Sequence, residues 1–147
     1  MTSTQTRRHF VIGLFSFLTV VAALASQAHA GAIQNKLING YTEQAKILPG
    51  WTGDFSAERG RTFFTNRHAS GKPDTPACTS CHGNSPQDIG QTRAGKTIEP
   101  MALSRTADRY TDAKKVEKWF LRNCNSVLGR ECTPLEKGDF LTFMVGE

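Results

Sequence analysis

The chain has 147 residues, of which 38% are hydrophobic and 21% charged, and its formal net charge is +5. This length suits one small domain with a modest core. The mild positive charge favours neither a nucleic-acid-binding protein nor a membrane-surface protein, because both classes carry strongly basic surfaces.

Residues 1–30 have the pattern of an export signal. Arg7 and Arg8 supply a basic start, an apolar run begins at Phe10, and the small residues at 28–30 fit a cleavage site. The apolar run is short for a membrane span of about 20 residues, which argues against a retained anchor. We therefore expect a cleaved signal peptide and one periplasmic domain at residues 31–147.

Two helices are predicted at the start of this domain. The apolar residues of the first recur at intervals of four and so share one face: they are Ile33, Leu37, Tyr41 and Ala45. The stretch PGWTGD then breaks this helix. The second helix begins after Ser56, a plausible N-cap, and carries Phe63 and Phe64 as packing residues.

Residues 67–100 are rich in Gly, Pro, Ser, Thr and Asp and show no steady period. A loop of this length is unusual in a compact domain and is usually functional. The composition therefore predicts a segment that wraps around a bound group.

This loop carries the motif CTSCH at residues 78–82, which predicts covalent attachment of one haem c. Two thiols, those of Cys78 and Cys81, must reach two vinyl groups on one edge of the porphyrin. His82 directly follows the second thiol and can swing under the ring to bind the iron as proximal ligand. Because haem is joined to an unfolded chain after export, general secretion is favoured over the twin-arginine route that TRRHF, residues 6–10, weakly resembles.

Two other chemistries use cysteines at this spacing. A dithiol oxidoreductase places its motif at a helix start in a βαβ setting, and no strands are predicted here. A zinc site needs two more ligands at suitable spacing. The remaining cysteines, Cys124 and Cys132, lie far along the chain and close to each other, so we expect them to pair.

Two further helices are predicted near the C-terminus. The first covers residues 111–129, with Thr111 as N-cap and Gly129 closing it in a left-handed turn. The second begins after Thr133, with Pro134 at the first helical position and Glu136 completing a capping box. Since no β-alternation persists, we expect an all-α fold.

The ligand on the other face of the iron would decide between an electron carrier and a gas-binding site. In the helix at 111–129, Asn123 recurs at helical spacing with an apolar stripe, whereas Asn125 falls on a flank. The stripe consists of Val116, Trp119, Phe120 and Val127. A buried carboxamide without a partner costs on the order of 1–3 kcal/mol, which a metal or a hydrogen bond would offset.

Other residues compete with Asn123 for this position. His68 lies shortly before the motif and Met101 shortly after it, while Met144 is expected in the core. The residues alone therefore leave Asn123, Met101, His68 and an open position as alternatives.

Four segments of the chain resemble the sphaeroides haem protein family, small exported cytochromes c of class I type. The segments are DFSAERGRTFF, ACTSCH, PMALSRTADRYTD and VEKWFLRNCNSVLGRECTPLEKGD. The resemblance implies a class I cytochrome c-like single-haem domain with Asn123 as the distal iron ligand. It also implies a disulfide between Cys124 and Cys132. Gly60 and Phe64 resemble the Gly-x-x-x-Phe pair at which the N-terminal helix of class I cytochromes crosses a C-terminal helix.

The resemblance further implies that the reduced haem binds O2, NO or CO and that a partner cytochrome, typically a dihaem cytochrome c, reduces it. An amide oxygen is a hard, weak donor that ferric iron tolerates better than ferrous iron, so we expect reduction to release Asn123. Whether the protein also acts as a terminal oxidase or reductase is left open. The alternative is a conventional low-spin electron-transfer cytochrome with Met101 or His68 on the iron.

Overall fold

The computed structural model describes residues 31–147, and about half of them are helical. The predicted signal at residues 1–30 lies outside the described residues. The elements are α1 (31–45), α2 (Ala57–Thr65), α3 (Thr79–His82), β1 (Gly90–Gln91), β2 (Thr97–Ile98), α4 (Ala113–Leu128) and α5 (Pro134–Gly146). The two short strands pair antiparallel, with Gly90 opposite Ile98. The prediction of an all-α fold is confirmed apart from this hairpin.

No helix between residues 31 and 147 combines the length and the apolar character needed to cross a membrane.

Most of the predicted helix boundaries are confirmed by their caps. The Ser56 hydroxyl accepts from the Arg59 N–H at the start of α2, and Thr133 and Glu136 form the reciprocal capping box of α5. Gly129 ends α4 with φ of 69°. The prediction of Thr111 as N-cap of α4 is wrong: the carboxylate of the next residue, Asp112, accepts from the Lys115 N–H. The Thr111 hydroxyl instead donates to the Asp108 carbonyl.

The core forms where α2 crosses α5. A Cβ atom at Gly60 would lie 2.1 Å from the Asp139 carbonyl oxygen and 2.8 Å from Phe143 Cβ, so the two backbones meet at this glycine. Phe64, one turn later, is fully buried. The predicted Gly60–Phe64 crossing pair is therefore confirmed. The crossing is also tied by Arg59, whose Nε lies 2.7 Å from the buried Asp139 carboxylate.

Helix α1 packs against this core with a face that differs from the predicted one. Tyr41 and Ala45 are buried as expected, but Ile33 is 47% exposed and its neighbour Gln34 is 1% exposed. Gln34 takes the buried position because its Nε2 donates to the Arg109 carbonyl oxygen at 2.7 Å. A polar residue on α1 thus fixes the later loop that contains Arg109.

Candidate functional site

The CTSCH motif forms one helical turn. Cys78 lies at its start, and both the Cys81 N–H (3.2 Å) and the His82 N–H (3.1 Å) donate to the Cys78 carbonyl oxygen. This turn brings the two cysteines, three residues apart, onto one side of α3, and neither forms a disulfide. Burial raises the pKa of the Cys78 thiol to about 11. Because redox-active dithiols have lowered thiol pKa values, this site does not resemble a dithiol oxidoreductase.

The side chain of His82 is a neutral imidazole with a ring nitrogen that makes no described hydrogen bond. Burial, and to a smaller extent the charge of Arg109, lowers its pKa to about 4, so the ring is uncharged at neutral pH. Its Nδ1 is buried without a hydrogen-bond partner within residues 31–147. Neutral imidazole is the form that binds metals. Two free thiols followed by an unprotonated, unpartnered histidine fit the requirements of a covalently held haem iron.

The hairpin packs its backbone directly against this turn. A Cβ atom at Gly90 would lie 2.3 Å from the Cys81 carbonyl oxygen and 2.9 Å from His82 Cα, so only glycine fits here. An open pocket of about 620 Å³ lies beside Cys81. Its lining includes neither His82 nor Asn123, so it adjoins the site without containing it. The pocket is lined by residues of α3 and the hairpin: Thr79, Ser80, Cys81, Gly83, Ile89, Gly90, Gln91, Thr92, Arg93 and Thr97.

Asn123 lies at the edge of the buried face of α4. The buried residues of this helix are Val116, Phe120, Cys124, Val127 and Leu128. The prediction that Asn123 and Trp119 belong to this face is wrong: Asn123 is exposed and Trp119 is 46% exposed. The reason is that the buried stripe includes Cys124, whose side chain is bonded to Cys132. No residue described in the structure hydrogen-bonds to the Asn123 carboxamide, whereas Asn125 donates to the Leu121 carbonyl oxygen at 2.7 Å.

The segment before the motif is attached to the end of α4. The Lys72 N–H donates to the Ser126 carbonyl oxygen at 2.7 Å, and the hydroxyls of Thr75 and Ser126 are 3.0 Å apart. A Cβ atom at Gly71 would lie 2.3 Å from the Val127 carbonyl oxygen. The loop that leads to Cys78 is therefore fixed on the last turn of the helix that carries Asn123.

Cys124 and Cys132 are bonded to each other in the structure, with their Cα atoms 5.6 Å apart. Both are 5% exposed, and the bond joins the end of α4 to the start of α5. It begins one residue after Asn123.

Of the other predicted candidates for the iron, His68 has a side-chain contact, and the two methionines pack in or against the core. His68 Nε2 lies 3.2 Å from the Phe63 carbonyl oxygen. Met101 packs against the core cluster, and its N–H donates to the Pro86 carbonyl oxygen at 2.8 Å. Met144 is fully buried in the core, as expected.

Sequence reasoning did not single out Gly90, Arg109 or Tyr110. Gly90 matters only because a hairpin with two-residue strands lies against α3, and strands this short leave no periodicity in a sequence. Arg109 and Tyr110 act through contacts with residues 99–101, and no local pattern marks such contacts.

Comparison with known protein families and curated proteins gives consistent matches. The family described as "Domain of unknown function (DUF1924)" matches residues 51–144. The cytochrome c-type protein SHP of Cereibacter sphaeroides is 50% identical over 132 residues, which covers 89% of this chain and 98% of that protein. Cytochrome c'' of Methylophilus methylotrophus is 33% identical over 138 residues, covering 93% of each.

Solved structures give the same result. Oxidized SHP, described as an oxygen binding cytochrome c, superposes with a TM-score of 0.72 at 49% identity, covering 78% of this chain and 96% of that one. Oxidized cytochrome c'' from Methylophilus methylotrophus has a TM-score of 0.68 at 33% identity and covers 79% and 95%. A solution structure of the same cytochrome c'', described as giving insights into haem-ligand detachment, has a TM-score of 0.66 at 34% identity and covers 78% and 93%.

Proposed function

The chain belongs to the DUF1924 family and, by its identity to SHP, to the SHP-like c-type cytochromes, and from this membership we propose that it is a monohaem cytochrome whose distal ligand leaves on reduction so that a diatomic gas can bind. The main support is the α3 turn, where two free thiols precede a neutral, unpartnered His82.

In this proposal Cys78 and Cys81 form the two thioethers and His82 binds the iron through Nε2. The structure supports this assignment because the three residues share one helical turn. The Gly90 backbone against this turn limits its movement. When bound, haem c supplies an iron that changes oxidation state and takes a small ligand at its sixth position.

Asn123 is the proposed distal ligand. Its carboxamide has no hydrogen-bond partner in the described part of the chain, and Ser126 on the same helix holds the loop that leads to Cys78. The amide oxygen is a hard, neutral, weak donor, so its hold weakens when the metal becomes ferrous. SHP is described as oxygen binding, and cytochrome c'' is described in terms of haem-ligand detachment, which supports a detachable ligand and a gas-binding site here.

Release of Asn123 leaves its position to O2, NO or CO. The freed amide NH2 group can then donate a hydrogen bond to the incoming ligand. The bond between Cys124 and Cys132 restricts the backbone next to Asn123, so we propose that release occurs by side-chain rotation with little movement of α4. The simpler alternative is that this bond only stabilises a small secreted domain.

The proposed setting is the periplasm, after cleavage of residues 1–30. The proposed electron donor is a partner cytochrome, of dihaem type by family resemblance. A terminal oxidase or reductase role would follow if the gas ligand were reduced and released.

Absorption spectra of the holoprotein in both oxidation states test this function. We expect a low-spin ferric state and a five-coordinate, high-spin ferrous state that binds CO rapidly, because Asn123 leaves only on reduction. A low-spin ferrous spectrum that does not respond to CO would contradict the proposal. That result would instead favour an electron carrier with Met101 or His68 on the iron.

A further inference from the structure

Two consecutive residues, Arg109 and Tyr110, bind three consecutive carbonyl groups. Arg109 Nη2 donates to the Glu99 carbonyl oxygen at 2.5 Å, and its Nε donates to the Pro100 carbonyl oxygen at 2.5 Å. The Tyr110 hydroxyl donates to the Met101 carbonyl oxygen at 2.7 Å. We call these three hydrogen bonds the Arg109–Tyr110 clamp.

The clamp includes a strained residue. Tyr110 has φ of 61°, and it is the single non-glycine residue with positive φ among residues 31–147. This left-handed conformation is unfavourable for an L-residue, because it brings Cβ close to the following carbonyl oxygen. It is held by Gln34, 1% exposed, whose Nε2 donates to the Arg109 carbonyl oxygen at 2.7 Å. Strain that the surroundings maintain in this way is typical of functional segments.

The clamped segment, residues 99–101, is connected to His82 at both of its ends. At one end it continues from β2, which pairs with β1 at Gly90, and Gly90 lies against the His82 backbone. At the other end the Met101 N–H donates to the carbonyl oxygen of Pro86, four residues after His82. A shift of this segment would therefore move the backbone around His82.

Arg109 also brings a charge that no described carboxylate neutralises. None of the salt bridges within residues 31–147 includes its guanidinium, whose described partners are neutral carbonyl groups. The side chain is half-buried, where charges are screened less than at the surface. The segment that its guanidinium binds is connected through β2 and Gly90 to the His82 backbone, so this charge belongs to the surroundings of His82. A nearby fixed cation disfavours the more positive state of a metal, which is the ferric state.

We propose that the Arg109–Tyr110 clamp positions the proximal ligand His82 and that the positive charge of Arg109 raises the reduction potential of the bound haem. Both are positioning residues, since they act through the segment and the field around His82. The inference rests on the proposed function, which assigns His82 to the iron.

Potentiometric titration of the holoprotein tests the charge. Arg109→Gln and Arg109→Met should both lower the midpoint potential, because both remove the cation. Arg105→Gln is the matched control. Arg105 is an exposed arginine four residues before Arg109, and its side chain makes no described hydrogen bond. Two variants that remove the charge are included, so that the test can still be made if one of them does not fold. Potentials of the Arg109 variants equal to that of Arg105→Gln would overturn the inference.

Two milder variants test positioning. Arg109→Lys keeps the charge but cannot hold two carbonyl groups with one planar fork, and Tyr110→Phe removes only the hydroxyl. We expect the midpoint potential of Arg109→Lys to stay close to that of the unmodified protein. In both variants the ferric haem-methyl NMR shifts, which report the orientation of the axial imidazole, should change. Unaltered shifts in both would overturn the positioning role.

The two proposals fail in different measurements. The proposed function fails in the ferrous spectrum of the unmodified protein. The clamp inference fails only in the comparison of variants, which needs no gas ligand.

Discussion

At the residue scale, the site depends on which side chains have polar atoms that no hydrogen bond already occupies. His82 keeps an unpartnered nitrogen and a lowered pKa, and the Asn123 carboxamide has no described hydrogen-bond partner. The His68 imidazole is already held by the Phe63 carbonyl oxygen. Unused hydrogen-bonding capacity therefore separates His82 and Asn123 from His68, whereas Met101 differs from them in packing against the core.

Asn123→Ala gives a sharp prediction at this scale. Loss of a weak protein ligand should leave haem attachment intact and open the ferric position to water and azide. If the lost bond is worth about 1.4 kcal/mol, azide affinity rises about tenfold. Azide titration of the ferric protein measures this.

Asn125→Ala is the control, because Asn125 lies on the other side of α4 and bonds to the Leu121 carbonyl oxygen. It should bind azide like the unmodified protein. An unchanged ferric spectrum in Asn123→Ala would rule out Asn123 as the ligand.

The sequence was informative for the covalent half of the site and less so for the distal half. The spacing in CTSCH is dictated by local chemistry, so Cys78, Cys81 and His82 can be named without a structure. Helix phase placed Asn123 on the buried face of α4, but Cys124 occupies that place and Asn123 lies at its edge. Helix phase alone cannot predict whether Asn123 is buried. A rotation of the helix by a few degrees, set by neighbouring helices, decides which residues at the edge of the face are buried. The ligand role of Asn123 stays a prediction.

At the element scale, long helices with caps were predictable and short elements were not. The helices α2, α4 and α5 carry their start and stop signals within their own sequences. The turn α3 and the hairpin β1–β2 have four and two residues per element. These lengths leave no periodicity to detect, so residues 67–100 could be recognised only as a functional loop.

The crossing of α2 and α5 gives a prediction about stability. Gly60→Ala would place a Cβ atom 2.1 Å from the Asp139 carbonyl oxygen, so the two helices must separate. We expect a loss of about 1–3 kcal/mol in the free energy of unfolding, as for other overpacked cores. Chemical denaturation of the holoprotein measures this loss.

Gly40→Ala is the matched control, since a Cβ atom at this helical position meets nothing within 4 Å. It should stabilise the protein slightly, by roughly 0.5–1 kcal/mol, because glycine weakens a helix interior. Equal effects of the two substitutions would show that helix propensity, and not the crossing, determines the response at Gly60.

At the scale of the whole molecule, one carboxylate connects three helices. The Tyr41 hydroxyl of α1 donates to Glu117 of α4, and Lys137 Nζ of α5 lies 2.7 Å from the other Glu117 oxygen. Burial tends to raise the pKa of Glu117, but hydrogen bonds from Lys137 and Tyr41 and the charge of Lys137 outweigh it and lower the pKa below the ordinary value of a glutamate.

This lowered pKa predicts acid sensitivity. A carboxylate with a lower pKa in the folded state contributes its stability above its unfolded pKa and loses it as pH falls through the folded value. The free energy of unfolding should therefore decline below about pH 4.5, and Glu117→Gln should flatten this decline. Urea denaturation between neutral and acidic pH checks both curves. Parallel curves for the two proteins would contradict the role of Glu117.

The contact between Arg59 and Asp139 spans 80 residues and involves the last helix of the chain. The segment that carries the thiols lies between these two residues, so the fold can close only after nearly the whole chain has been made. Contacts of such separation form late, because the entropy of closing a long loop must be overcome first. We therefore expect the unfolded chain to have an interval, before α5 docks, in which both cysteines are fully accessible. We expect the order in which the helices assemble to limit the time available for the proposed haem attachment.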